Sequence, residues 1–178
     1  MDEFIDYEKR INQIFRELDA PRRWNASKLL LFPEASELVS IGLDLYGREQ
    51  KLTPKAAASW AEMHNAAGQD GEVLQIVSAF RSVDYQKRII QRKLVAGQTW
   101  EQILRVSALP GCSEHHTGKT IDVTTPGFEP LTEEFENSSA FKWLTRRAVE
   151  FGFSMTYPRD NKFGIAYEPW HWTMRRPL

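Results

Sequence analysis

The sequence has one cysteine, Cys112, in 178 residues, so no internal disulfide can form. It has no apolar run near the ~18 residues that span a bilayer. The longest candidate, Leu29–Phe32, is far shorter. It has no excess of either charge: 23 Lys+Arg against 24 Asp+Glu leave a formal net charge of −1. That balance gives no electrostatic footprint for nucleic acid or an anionic membrane, and neither is expected as a partner. There is no internal repeat and no low-complexity tract. The opening residues, MDEFIDYEKRINQIF, lack a basic n-region and an apolar h-region. A secretory signal is therefore not expected, and a cytoplasmic location is.

What is present is ordinary globular composition, 42% hydrophobic and 26% charged, in a length that suits one domain with a sizeable core. Aromatics reach 12%, with six tryptophans, which serve cores and also line ligand clefts.

Phe4, Tyr7, Ile11, Phe15 and Leu18 recur at helical spacing, which predicts an amphipathic helix over 3–19 ended by Pro21. Residues 22–52 carry no clear period. Thr53-Pro54 predicts a helix start, with threonine as N-cap, running to about Ala67. Val73–Ala79 reads as a buried strand, Val83–Ala96 as a helix stopped by Gly97, and Thr99/Gln102 as the capping box of a short helix to about Val106. A loop, SALPGCS, precedes a strand at Lys119–Thr125. A helix over 139–151 closes at Gly152, and strands are expected at Phe153–Tyr157 and Ile165–Met174. Strands clustered late in the chain predict an α+β fold with a largely antiparallel sheet.

Three segments carry candidate chemistry. In Ser113-Glu114-His115-His116-Thr117-Gly118-Lys119-Thr120-Ile121-Asp122, a glycine turn can bring a loop histidine and a strand aspartate together. Zinc accepts imidazole nitrogen and carboxylate oxygen at about 2.0–2.2 Å, and a catalytic site needs three such ligands. His171 can supply the third. Spacing alone leaves a second reading open, a surface His-His pair beside a solvated aspartate. In Glu168-Pro169-Trp170-His171, a glutamate near a ligand histidine suits a general base. Positions three apart on a regular strand face opposite ways, so the backbone must break there, and Pro169 gives a reason. A solvent glutamate before core aromatics is the alternative. In Ser78-Ala79-Phe80-Arg81-Ser82, with Gln86 beyond, an arginine follows a buried strand. It can clamp a carboxylate or an oxyanion, or serve as a surface ion-pair partner.

Taken in order, SAFRSVDYQ, SEHHTGKTID and EPWH resemble the VanY-type zinc D-alanyl-D-alanine carboxypeptidases and the related L,D-carboxypeptidases. The family pattern is S-x-[FY]-R-S-x-x-x-Q, S-x-H-x-x-G-x-A-x-D and E-x-W-H, and the resemblance covers about residues 73–175. It implies an α+β fold of the DD-peptidase/Hedgehog type, a small antiparallel sheet flanked by helices. It implies a single domain overall, with 71–178 as the zinc carboxypeptidase core and 1–70 as a helical extension packed on it. It makes His115, Asp122 and His171 the Zn2+ ligands and Glu168 the general acid/base. It gives Arg81 the charge developing on the scissile carbonyl. Gln86 and Ser113 would hold substrate, Trp170 would wall the cleft, and Tyr157 would stand near the substrate. His116 stands where the family often has glutamine, and the S-x-H register selects His115 over it. Thr120 replaces a usual alanine. His64 has no counterpart and reads as structural or exposed, and Cys112 has no visible partner as nucleophile or ligand.

The implied reaction releases D-alanine from a peptidoglycan peptide. The expected absence of a signal points to recycled wall peptides in the cytoplasm, hence to the L,D bond of tetrapeptides. D,D-carboxypeptidase action, a wall-lytic endopeptidase and a non-catalytic zinc module are the alternatives.

Overall fold

The computed structural model describes residues 2–21, 30–163 and 165–175. Part of the unread stretch, residues 22–29, lies outside them, as do Gly164 of the expected turn and the last three residues.

Helix α1 is Asp2–Glu17. Its apolar stripe, Ile11, Ile14, Phe15 and Leu18, packs on Val83, Ile90, Ile103 and Leu109 to form one of two cores. Those partners come largely from α3 (Val83–Val95) and α4 (Trp100–Leu104). The capping box of α4 forms as expected: Gln102 N–H donates to Thr99 Oγ1 at 3.3 Å, and Thr99 N–H to Gln102 Oε1 at 2.8 Å. Helix α2 is Pro54–Gln69, with Thr53 at the N-cap position. The Thr53 side chain makes no capping bond, contrary to expectation. Instead Thr53 N–H donates to the Gly118 carbonyl at 2.8 Å, tying the helix start to the histidine segment.

The main sheet has four antiparallel strands in the order β3-β4-β6-β5: β3 Gln75–Ser78, β4 Thr120–Thr124, β5 Phe153–Met155 and β6 His171–Met174. One face, with Ile76, Ile121, Val123, Phe153 and Trp172, packs against Trp60 and Met63 of α2 and Trp143 and Leu144 of α5 (Ser139–Arg147). The period of two then sends Asp122 and His171 to the other face. They are register partners, as are Thr120 and Thr173.

Several expectations are corrected. Residues 39–52, placed in a helical extension, form a β-hairpin of β1 (Val39–Leu43) and β2 (Glu49–Leu52). Asp44 holds its turn. Its Oδ1 accepts from Tyr46 N–H at 2.8 Å and Arg48 N–H at 3.0 Å, and its Oδ2 from Arg48 Nε at 2.7 Å. The strand expected over 165–174 is regular only from His171. Before it, His171 N–H bonds to the Glu168 carbonyl at 3.2 Å, a turn that includes Pro169. The helix expected over 139–151 gives way at Ala148 to a 3-10 turn, closed by Gly152 with φ 79°. Residues Glu114–Thr117 are also a 3-10 turn, which ends at Gly118 with φ 62°. The left-handed conformation favours glycine, and a Cβ there would also crowd Leu38 Cδ2 at 2.9 Å and Ala35 Cβ at 3.2 Å.

Candidate active site

His115, Asp122 and His171 converge, with one ligand atom from each lying within 4.8 Å of the others. Asp122 Oδ1 is 3.0 Å from His171 Nδ1, and Asp122 Oδ2 is 3.1 Å from His115 Nε2. All three residues are buried. The tautomer of His115 follows from its surroundings. Its Nδ1 lies 2.6 Å from the Ala79 carbonyl, which can only accept, so Nδ1 carries the proton. Nε2 is then a bare lone pair, buried without a hydrogen-bond partner, facing a carboxylate oxygen. Two electron-rich atoms at that distance repel unless a cation stands between them. Burial, aided by nearby Arg81, holds the His115 pKa down at about 4, so the ring is neutral. Asp122 lies well below the usual carboxylate range: burial opposes its charge, and the histidines outweigh burial. Two imidazoles and a carboxylate form a ligand set that suits zinc.

Glu168 stands beside this triad, with Oε2 3.6 Å from His171 Nδ1. Its backbone N–H bonds to the Tyr157 carbonyl at 3.0 Å, which fixes the turn. Burial pushes its pKa up to about 7, the range of a carboxylate that can both take and return a proton. Arg81 Nη2 lies 3.5 Å from Asp122 Oδ2, and Arg81 Nη1 donates to Gln86 Oε1 at 3.3 Å. Its Nε is buried without a partner.

The other predicted residues are placed as follows. Ser113 and Tyr157 line a narrow cleft of about 40 Å³ together with Arg81, Glu168 and both ligand histidines. The Tyr157 ring sits 4.7 Å from that of His171. Gln86 does not line the cleft. Its amide donates to the Ala108 carbonyl at 2.8 Å and accepts from Arg81, so it orients the arginine. Trp170 is not among the residues that line this cleft; it is half-buried and packs against the main core. His116 turns away from the triad: Nδ1 bonds to the Arg81 carbonyl, and Nε2 accepts from Gly111 N–H at 3.1 Å. It fastens the segment that carries Arg81. His64 is exposed, 5.3 Å from Trp60, in a larger cavity of about 580 Å³ that contains none of the predicted site residues. Burial pushes the Cys112 thiol up to about 12, away from nucleophilic use.

Sequence reasoning missed Glu114 and Gln50. Glu114 Oε2 lies 3.0 Å from His171 Nε2, on the far side of the ring from Asp122. Its position inside S-x-H carried no signal beyond its charge. Gln50 Oε1 accepts from Ala79 N–H at 2.8 Å, so the hairpin holds the residue whose carbonyl orients His115.

The family model for VanY, D-alanyl-D-alanine carboxypeptidase, matches residues 49–175. The chain belongs to this family. The putative carboxypeptidase YodJ of Bacillus subtilis is 36% identical over 129 residues, 70% of this chain and 46% of that protein. The chain therefore spans less than half the length of that relative. Among solved structures, the LdcB LD-carboxypeptidase matches at TM-score 0.69 and 33% identity, covering 79% of this chain and 69% of that one. A variant of the vancomycin-resistance D,D-pentapeptidase VanY, in complex with Zn(II), matches at TM-score 0.61 and 25% identity, covering 82% and 85%. The match begins within β2, so the hairpin's second strand and α2 lie inside it, ahead of the motifs. Among the described residues, no helix is long and apolar enough to cross a membrane.

Proposed function

We propose that this chain is a zinc carboxypeptidase that releases the C-terminal D-alanine of peptidoglycan-derived peptides, with the L,D bond of tetrapeptides preferred. The observation that carries this reading is Glu168, a largely buried carboxylate with its pKa raised to about 7, 3.6 Å from His171 Nδ1. His115 Nε2, an Asp122 oxygen and His171 Nδ1 hold the metal. Zinc, when bound, polarises the scissile carbonyl and acidifies the attacking water. Glu168 takes the proton from that water and returns it to the leaving amine. Arg81, steadied by Gln86, places its guanidinium beside the charge that develops on the carbonyl oxygen. That charge exists only along the reaction path, so the arginine favours the transition state over the bound peptide. Ser113 and Tyr157 line the cleft in which the terminal residue sits. Among the described residues, the cleft adjoins a groove of about 550 Å³ that includes Leu104, Leu109, Lys162 and Ile165, room for the rest of a short peptide.

The L,D preference is supported by the likeness to the LdcB LD-carboxypeptidase, at 33% identity. The test is kcat/KM of the zinc-loaded protein on a defined tetrapeptide and pentapeptide. A higher value for the tetrapeptide is expected. The reverse order assigns D,D-carboxypeptidase action and leaves the site residues unchanged. Cleavage of crosslinks assigns an endopeptidase, and zinc binding without hydrolysis assigns a binding module.

A further inference from the structure

Glu114 is a buried carboxylate that the reaction described above leaves without a role. Its Oε2 faces three groups: His171 Nε2 at 3.0 Å, Thr156 Oγ1 at 2.7 Å and Thr173 Oγ1 at 2.6 Å. An ionised carboxylate can only accept, so both hydroxyls donate to it and His171 carries its proton on Nε2. The Thr173 hydroxyl, having donated its hydrogen, can accept one, and Thr120 Oγ1 lies 3.0 Å away. Thr120 is also the register partner of Thr173 across β4 and β6. The chain of donors runs Thr120 to Thr173 to Glu114, with Thr156 joining at the carboxylate. Here the departure of Thr120 from the alanine common in this family finds a structural use.

We infer that Glu114 is the positioning residue of the metal centre: it accepts the Nε2–H of His171, which leaves Nδ1 as the lone pair for zinc, and a relay of threonine hydroxyls holds it in place. The Nδ1 side of His171 faces Asp122 Oδ1 at 3.0 Å, so zinc there takes the place of an Nδ1 proton, and the two ligand histidines are then held in opposite tautomers. His115 donates from Nδ1 to a neutral carbonyl and ligates through Nε2, whereas His171 donates from Nε2 to a carboxylate and ligates through Nδ1. A carboxylate behind an imidazole makes it a stronger base and fixes its rotation. Its negative charge also offsets the positive charge that a divalent cation keeps beside a single aspartate. Arg175, with Nη2 4.0 Å from Glu114 Oε1, is half-exposed and only borders the group.

This inference rests on the metal reading above, and the experiment separates the two. Zinc affinity of the full chain is measured by competition with a chelating indicator, for wild type and Glu114→Gln. Wild type should bind about one zinc, and Glu114→Gln should bind about 10- to 100-fold more weakly, the usual effect of losing such a partner. Its zinc-free form should still melt in one cooperative transition, so that the weaker binding is read on a folded chain. In parallel, long-range nitrogen–proton spectra of the zinc-loaded wild type should show His171 protonated at Nε2, and His115 at Nδ1. Those spectra need no variant, so they decide the matter even if Glu114→Gln does not fold. Unchanged zinc affinity in a folded Glu114→Gln, or a His171 proton on Nδ1, overturns the assignment while the metal site stands. A wild type that binds no zinc overturns both.

Discussion

Asp122 and His171 are register partners across β4 and β6, and Asp122 Oδ1 lies 3.0 Å from His171 Nδ1. Two of the three proposed ligands are therefore set by strand pairing, on the sheet face opposite the main core. A slip of one residue between the strands would turn one of the two side chains into that core and part the pair. The third, His115, is set by a 3-10 turn and the Ala79 carbonyl.

That difference separates two adjacent histidines. His115→Ala removes a ligand and should leave the protein with well under one zinc by metal analysis. His116→Ala removes the bonds to Arg81 and Gly111 but no ligand, so it should keep about one zinc, in line with a three-ligand site. Its kcat should fall, because the Arg81 segment loses its fastening. Loss of metal from His116→Ala and not from His115→Ala would show the register to be wrong.

Arg81→Lys keeps the charge and loses the planar fork that engages Gln86 and faces Asp122. Steady-state kinetics should show kcat and kcat/KM falling together, the pattern of an interaction made in the transition state. A rise in KM alone would place Arg81 in ground-state binding of the peptide.

Much of the fold was legible in the sequence because the signals were local. The Thr99/Gln102 box, the stripe of α1, and the glycines at 118 and 152 each carry their own physics. The motifs placed the triad and Glu168 together, and the break expected at Pro169 is the turn that precedes β6. The hairpin was not legible. β1 reads Val-Ser-Ile-Gly-Leu, a five-residue alternation whose apolar side chains stay largely exposed, and β2 reads Glu-Gln-Lys-Leu, with a single apolar residue, so the pair carries little strand signal. Its turn is held by the buried Asp44, bonded to its near neighbours, and its place on the core by Gln50 reaching Ala79, a contact between distant positions that no local pattern encodes. Glu114 was hidden for the same reason: its partners at Thr156, His171 and Thr173 are remote in sequence.

The hairpin gives a prediction in pH. Burial works against the charge of Asp44, but bonds from the Arg48 backbone and side chain and from Tyr46 outweigh it, and its pKa is lowered from 3.8. A carboxylate with a depressed folded pKa adds stability above its unfolded value, and that stability is lost as pH falls through the folded one. Asp44→Asn should therefore be less stable at neutral pH by about 1–3 kcal/mol, the scale of hydrogen bonds to a charged group. Melting curves should show the gap to wild type narrowing below pH ~4. A gap that is constant with pH would remove the charge from the account.

The most direct test of the central claim is mass analysis of a defined tetrapeptide incubated with zinc-loaded wild type and with Glu168→Gln. Glutamine keeps the shape of Glu168 but cannot take a proton from water. The account predicts loss of a single D-alanine with wild type. With Glu168→Gln it predicts a rate lower by roughly a hundredfold or more, with zinc still bound. Near-normal release of D-alanine by Glu168→Gln, or no release by the zinc-loaded wild type, would contradict it.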